Sequence, residues 1–207
     1  MDLFRYFRKL FHRVGGPVSL VPVPACGVGP HISVQKLDRV CAPPASSLML
    51  LREEMLDQTG RLAGYRFSCG LSEDSHFTVS GYEAALKDAH VCELAERRLA
   101  LIAIQSDDIL LLDVAMLRAP HSVLHVMGHH TDMAEPRNLN ILKSMRASGL
   151  GLALSVENME AIQHMAPALS LATHAVVDIS AHALQTFEQL VIALQEVCPH
   201  LTLVVEN

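Results

Sequence analysis

Residues that could carry chemistry fall in two places along this 207-residue chain. His121, His125, His129, His130 and Asp132 crowd together, and a strand leading into a loop would bring His125, His129 and Asp132 close enough to ligate zinc or iron. Their spacing matches neither H-E-x-x-H nor a facial triad, so a hydrogen-bonded strand histidine with loop-capping histidines is the preferred reading of the cluster over a metal site. Asp178 sits at the end of the apolar run HAVVDIS, where a strand end could present a catalytic carboxylate. A structural role beside the N-terminus of the helix that follows is the preferred reading of Asp178. Neither G-x-G-x-x-G nor G-x-x-x-x-G-K-[ST] occurs, and no cysteine carries a catalytic signature.

Composition narrows the classes of function. A formal charge of -6 and 4% aromatic residues without Trp disfavour nucleic-acid binding, which needs a basic footprint or stacking platforms. Five scattered cysteines, Cys26, Cys41, Cys69, Cys92 and Cys198, fit neither a disulfide framework nor a zinc ribbon and suggest a reducing cytoplasm. No apolar run approaches the roughly 18 residues of a membrane span. The 12 histidines on an acidic chain would make binding sensitive to pH near neutrality.

Three segments are expected. In residues 1–13, MDLFRYFRKLFHR, Leu3, Phe4, Phe7, Leu10 and Phe11 follow helical spacing opposite Arg5, Arg8, Lys9 and His12. Such a helix suits an anionic membrane surface, giving a peripheral inner-membrane location, or an acidic partner; packing on its own domain is the alternative. A lipoprotein-like leader ending near Cys26 is a third reading, opposed by Pro17, Pro22 and Pro24. Residues 14–45, rich in Pro and Gly, read as a linker or extended arm. From residue 46 to 207, apolar runs at 47–51, 62–68, 99–104, 122–127, 151–156, 174–179 and 201–205 predict seven strands. Helical patterns at 82–97, 136–148, 157–165 and 181–197 lie between them, with Ser180 as the N-cap of the last and Gly149 as a C-cap. This alternation predicts an α/β fold with a parallel sheet, while residues 52–61 are too few for a crossover and make the first two strands an antiparallel hairpin.

That outline and several motifs resemble the EAL family, whose active members are (β/α)8-type barrels hydrolysing cyclic di-GMP. The likeness covers residues 46–207. LMLLREEMLDQTGRLAGYRFS resembles the family's first hairpin, which leads to G-x-E-A-L. ILKSMRASGLGLALSVEN resembles its L-x-x-L-x-x-x-G-x-x-I-A-L-D-D-F region, HAVVDIS its V-K-I-D strand, and LTLVVEN the strand leading to A-E-x-V-E. An R-E-E-M-L-D-like opening is closest to EAL segments that precede an HDOD domain. The family's chemistry needs carboxylates holding two Mg or Mn ions at the C-terminal mouth of the barrel. Carried over position by position, the signature glutamate falls on Arg66, the third-strand asparagine on Ala103 or Gln105, and the fourth-strand glutamate on His125. The aspartate pair falls on Ser155 and Val156, with Glu157 next, and the lysine on Val176. Only Asp178 and Glu206 keep family-like residues, and the family's eighth strand has no counterpart before Asn207.

The resemblance therefore implies a catalytically inactive domain that acts by binding, either a protein partner or, as the less favoured variant, cyclic di-GMP. Arg66, His125, Ser155 and Glu157 are its candidate binding residues. A surviving phosphodiesterase using His125, Asp178 and Glu206, or a membrane-held scaffold, are the alternatives. A barrel short of one strand also leaves two unpaired edges. The arm at 14–45, a second copy of the chain, or further sequence could cover them.

Overall fold

A computed structural model describes residues 18–20 as backbone, and residues 48–70 and 77–206 in full. Eight strands follow one another in chain order around a closed barrel. They are β1 (Val18–Leu20), β2 (Met49–Asp57), β3 (Leu62–Gly70), β4 (Leu99–Gln105), β5 (Ser122–Met127), β6 (Gly151–Ser155), β7 (His174–Asp178) and β8 (Thr202–Glu206). The seven strands β2 to β8 are those expected. β2 runs antiparallel to β3, and from β3 to β8 every neighbour is parallel. The hairpin is tighter than the apolar runs suggested. Charged residues Arg52, Glu53 and Glu54 remain in β2, and the turn occupies only 58–61, where Gly60 takes φ 79°.

No strand follows β8 among the described residues. β1 takes that position, pairing parallel with β8 through Val18, Ser19 and Leu20 and antiparallel with β2 through Ser19 and Leu20. A strand continuing the βα repeat would have the same directions. The arm thus caps both edges that would otherwise be open to another chain.

Alternation along the strands sorts side chains between the barrel interior and the helices outside. Met55, Leu101, Val123, Ala153, Val176 and Val204 form an apolar cluster of their own. Six residues from six different strands can meet only inside the barrel, so they mark one interior layer. The larger core lies between sheet and helices and includes Phe67, Tyr82, Leu124, Leu154 and Phe187. Each such side chain contributes about 1.5–3 kcal/mol by leaving water. β4, LALIAIQ, is buried on both faces, which explains its unbroken apolar run.

The outer helices are α1 (Val79–Asp88), α2 (Val91–Ala95), α3 (His130–Met133), α4 (Pro136–Ala147), α5 (Met159–His164), α6 (Ala166–Leu169) and α7 (Leu184–Val197). Thr78 caps α1 by accepting from the Gly81 N–H, and Pro136 begins α4 where its missing N–H costs nothing. Gly149 follows α4 with φ 95°, the left-handed conformation that ends a helix. α7 packs Phe187, Leu190, Val191 and Leu194 inward at helical spacing. Ser180 does not cap α7, whose N-cap is Ala183. Its N–H and hydroxyl instead donate to Asp178 Oδ1 at 2.8 and 2.7 Å, a local turn that delays the helix.

Candidate functional site

Two residues beyond the interior apolar layer, toward the C-terminal ends of the parallel strands, period-two geometry defines the mouth. It places Ala103, His125, Ser155, Asp178 and Glu206 there, with Glu53 contributed by the reversed strand β2. Arg66 belongs to the same layer because it pairs in register with Glu53. Its guanidinium lies between two carboxylates: Nη1 donates to Glu53 Oε2 at 2.8 Å, and Nε stands 3.0 Å from Glu206 Oε1. β3 and β8 are not neighbours, so Arg66 reaches Glu206 only across the mouth. The second contact is an ion pair without a well-directed hydrogen bond, since both Arg66 Nε and Glu206 Oε1 are buried without a hydrogen-bond partner.

Burial pushes the Glu206 carboxyl above its ordinary range, and the charge on Arg66 opposes that rise while Glu53 and Asp178 add to it. His125 is 1% exposed and shares a 2.9 Å hydrogen bond with Ser155 Oγ, leaving Nδ1 without a partner. Burial, with a smaller contribution from Arg66, lowers its pKa to about 3, so the ring is neutral. Below the apolar layer, burial lowers His174 to about 4. The mouth is thus a neutral His–Ser pair beside a cation held by two carboxylates.

These residues divide the sequence-based site. Arg66, His125, Ser155 and Glu206 converge on the mouth. Asp178 is exposed there, its Oδ1 taken by Ser180. Glu157 lies two residues beyond Ser155 and is exposed outside the mouth. The grouping of His125 with His129 and Asp132 does not form. His125 points into the barrel as part of β5, His129 Nδ1 meets Thr131 Oγ1 at 2.8 Å, and the Asp132 carboxylate accepts from Thr131. Instead, His129 and His130 meet Glu157, and His130 meets Glu160 and His164. The Glu160–His164 spacing, one helical turn apart, was legible in the sequence but gained meaning only when α3 was placed against it. Glu53 also escaped the sequence reading, because its charged stretch resembled a loop.

The single positive charge of Arg66 is shared between the Glu53 and Glu206 carboxylates, so neither could take a metal ion without giving up that contact. Among the described residues, the His, Cys, Asp and Glu groups of three or more whose ligand atoms lie within 4.8 Å of one another are the two containing His130, and both lie outside the mouth. Among the described residues no helix is long and apolar enough to cross a membrane.

No protein-family model matches the sequence, and no curated protein matches it. Among solved structures, the chain is similar to the Bacillus subtilis protein YkuI, described as having an EAL domain in complex with its substrate c-di-GMP and calcium. The similarity has a TM-score of 0.45 and 12% identity, and covers 70% of this chain. It spans 45% of the length of that protein.

Proposed function

We propose that residues 46–207 form a non-hydrolysing EAL-like signalling domain that works by binding a protein partner at the barrel mouth. The observation that carries this reading is the Arg66 guanidinium between Glu53 and Glu206, where the resembled family would hold metal. An internal cation balances the carboxylates without polarising a phosphodiester or generating hydroxide, the two services a metal pair would supply. The apolar rim supports a protein ligand. Met49, Leu51, Leu110, Leu111 and Met159 are exposed by 42–69%, and each lies at or just beyond the strand ends that form the mouth. The basic amphipathic stretch expected at residues 1–13 lies outside the described residues.

Cyclic di-GMP is the second ligand, favoured by the cation at the mouth. A phosphate would have to displace Glu53 or Glu206 from Arg66, which costs affinity. Calorimetric titration with cyclic di-GMP, with and without Mg²⁺, separates the two. Binding that Arg66→Glu abolishes identifies a messenger receptor, whereas an absence of heat assigns the mouth to a protein. Conversion to pGpG would overturn both readings.

A further inference from the structure

We propose that His130, Glu160 and His164 form a binding site for one divalent transition-metal ion, with zinc the best match. One ligand atom from each lies within 4.8 Å of the other two. Glu160 and His164 stand one turn apart on α5, so both project from one face. His130 comes from α3, directly after β5, and its ring centroid lies 5.8 Å from that of His164. Two imidazoles and a carboxylate, with a fourth position open to water, are a donor set that zinc favours over calcium or magnesium.

A second observation points to a ligand. His130 is only 9% exposed, and its Nδ1 is buried without a hydrogen-bond partner. A buried imidazole nitrogen left unpaired is costly, and a metal–nitrogen bond would satisfy it. Zinc ligands sit about 2.0–2.2 Å from the ion, so the tetrahedral edge is about 3.4 Å. From separations of up to 4.8 Å, closure asks for up to about 1.4 Å of approach between ligand atoms, within reach of the exposed Glu160 and His164. His129 and Glu157 make a second, separate group with His130. The ion would clamp α3 to α5, and so the loops after β5 and β6, beside the mouth. None of its ligands belongs to the Arg66–Glu53–Glu206 network, so the site stands or falls independently of the proposed function.

The test is calorimetric titration of tag-free, chelator-treated full chain with Zn²⁺ alone, alongside Co²⁺ absorbance as a report on coordination. One saturable equivalent is expected, with a tetrahedral-type cobalt spectrum. Glu160→Gln and His164→Ala should each weaken binding at least tenfold, while His200→Ala, exposed at another position, leaves it unchanged. Both ligand residues are exposed, so the variants should keep the wild-type circular dichroism. Wild-type affinity in both ligand variants, or the absence of a saturable equivalent in the wild type, would overturn the site.

Discussion

Replacing Arg66 with methionine keeps an unbranched apolar stem and removes the guanidinium, leaving Glu53 and Glu206 facing each other across the mouth. At about 3 Å and an effective dielectric constant of about 20, each ion pair is worth about 5 kcal/mol before desolvation. Losing one partner of a buried pair costs about 3–5 kcal/mol net. The three side chains here are 19%, 33% and 23% exposed, so solvent screening reduces the expected loss to about 2–3 kcal/mol at pH 7. The pH dependence supplies an internal control. Glu206 has a raised folded-state pKa, so its ionisation destabilises the fold as pH rises through the interval between its unfolded and folded values. Without Arg66 that pKa rises further. The variant's deficit should therefore be largest at pH 7 and smaller at pH 5, because the raised folded-state pKa brings Glu206 closer to its neutral form as pH falls. His125 acts in the same direction, because Arg66 contributes to its lowered pKa. Urea unfolding followed by circular dichroism at the two pH values measures both quantities. A loss below about 0.5 kcal/mol at pH 7, or an equal loss at both, would refute the argument.

Three further outcomes follow from the barrel. His125 and His174 are held neutral, at about 3 and about 4, below the ordinary value of 6.5, so each supplies stability above pH 6.5 that is lost as pH falls toward its folded-state value. Unfolding free energies of His174→Gln should therefore decline less steeply, by about 1 kcal/mol between pH 6.5 and 5.5, and an unchanged slope would show His174 is not buried neutral. Gly64→Ala places a methyl group into the backbone carbonyl of Leu99, where β3 and β4 approach too closely for any side chain. Thermal unfolding should show a loss of about 1–3 kcal/mol or failure to fold, and a neutral result would deny that approach. Ser19→Pro removes a backbone donor from β1 and should release it from β2 and β8. Light scattering should then show concentration-dependent self-association through the bared edges, and a strictly wild-type mass at all concentrations would contradict closure by the arm.

Much of this architecture was legible because a parallel barrel buries its strands on both sides. Runs such as LALIAIQ and GLALS need no alternation to be recognised, and the lengths between them fit a strand and a helix. β2 was harder to read. Its outer half, Arg52 to Glu54, is charged because one face lines the polar mouth and the other stays partly exposed, so its extent and the role of Glu53 emerged only with the pairing to Arg66. β1 is three residues long in a Pro- and Gly-rich segment, and strand propensity carries no weight over so short a stretch. The mouth residues Arg66, His125, Ser155 and Glu206 were located by resemblance. That resemblance gave positions and not partners, so it suggested a free guanidinium where the structure has one engaged on both sides. The histidine site failed in sequence for a related reason: consecutive histidines suggested a local cluster, whereas the contacts run between α3 and α5.

In the proposed function the barrel mouth binds a partner without hydrolysing cyclic di-GMP, with Arg66 shared between Glu53 and Glu206. Incubation of the purified chain with cyclic di-GMP and Mn²⁺, with chromatography for linear pGpG, tests it most directly. Cyclic di-GMP should be recovered intact, from the wild type and from Glu206→Gln alike. Accumulation of pGpG with the wild type and none with Glu206→Gln would contradict it, since Glu206 would then be serving catalysis in place of neutralisation.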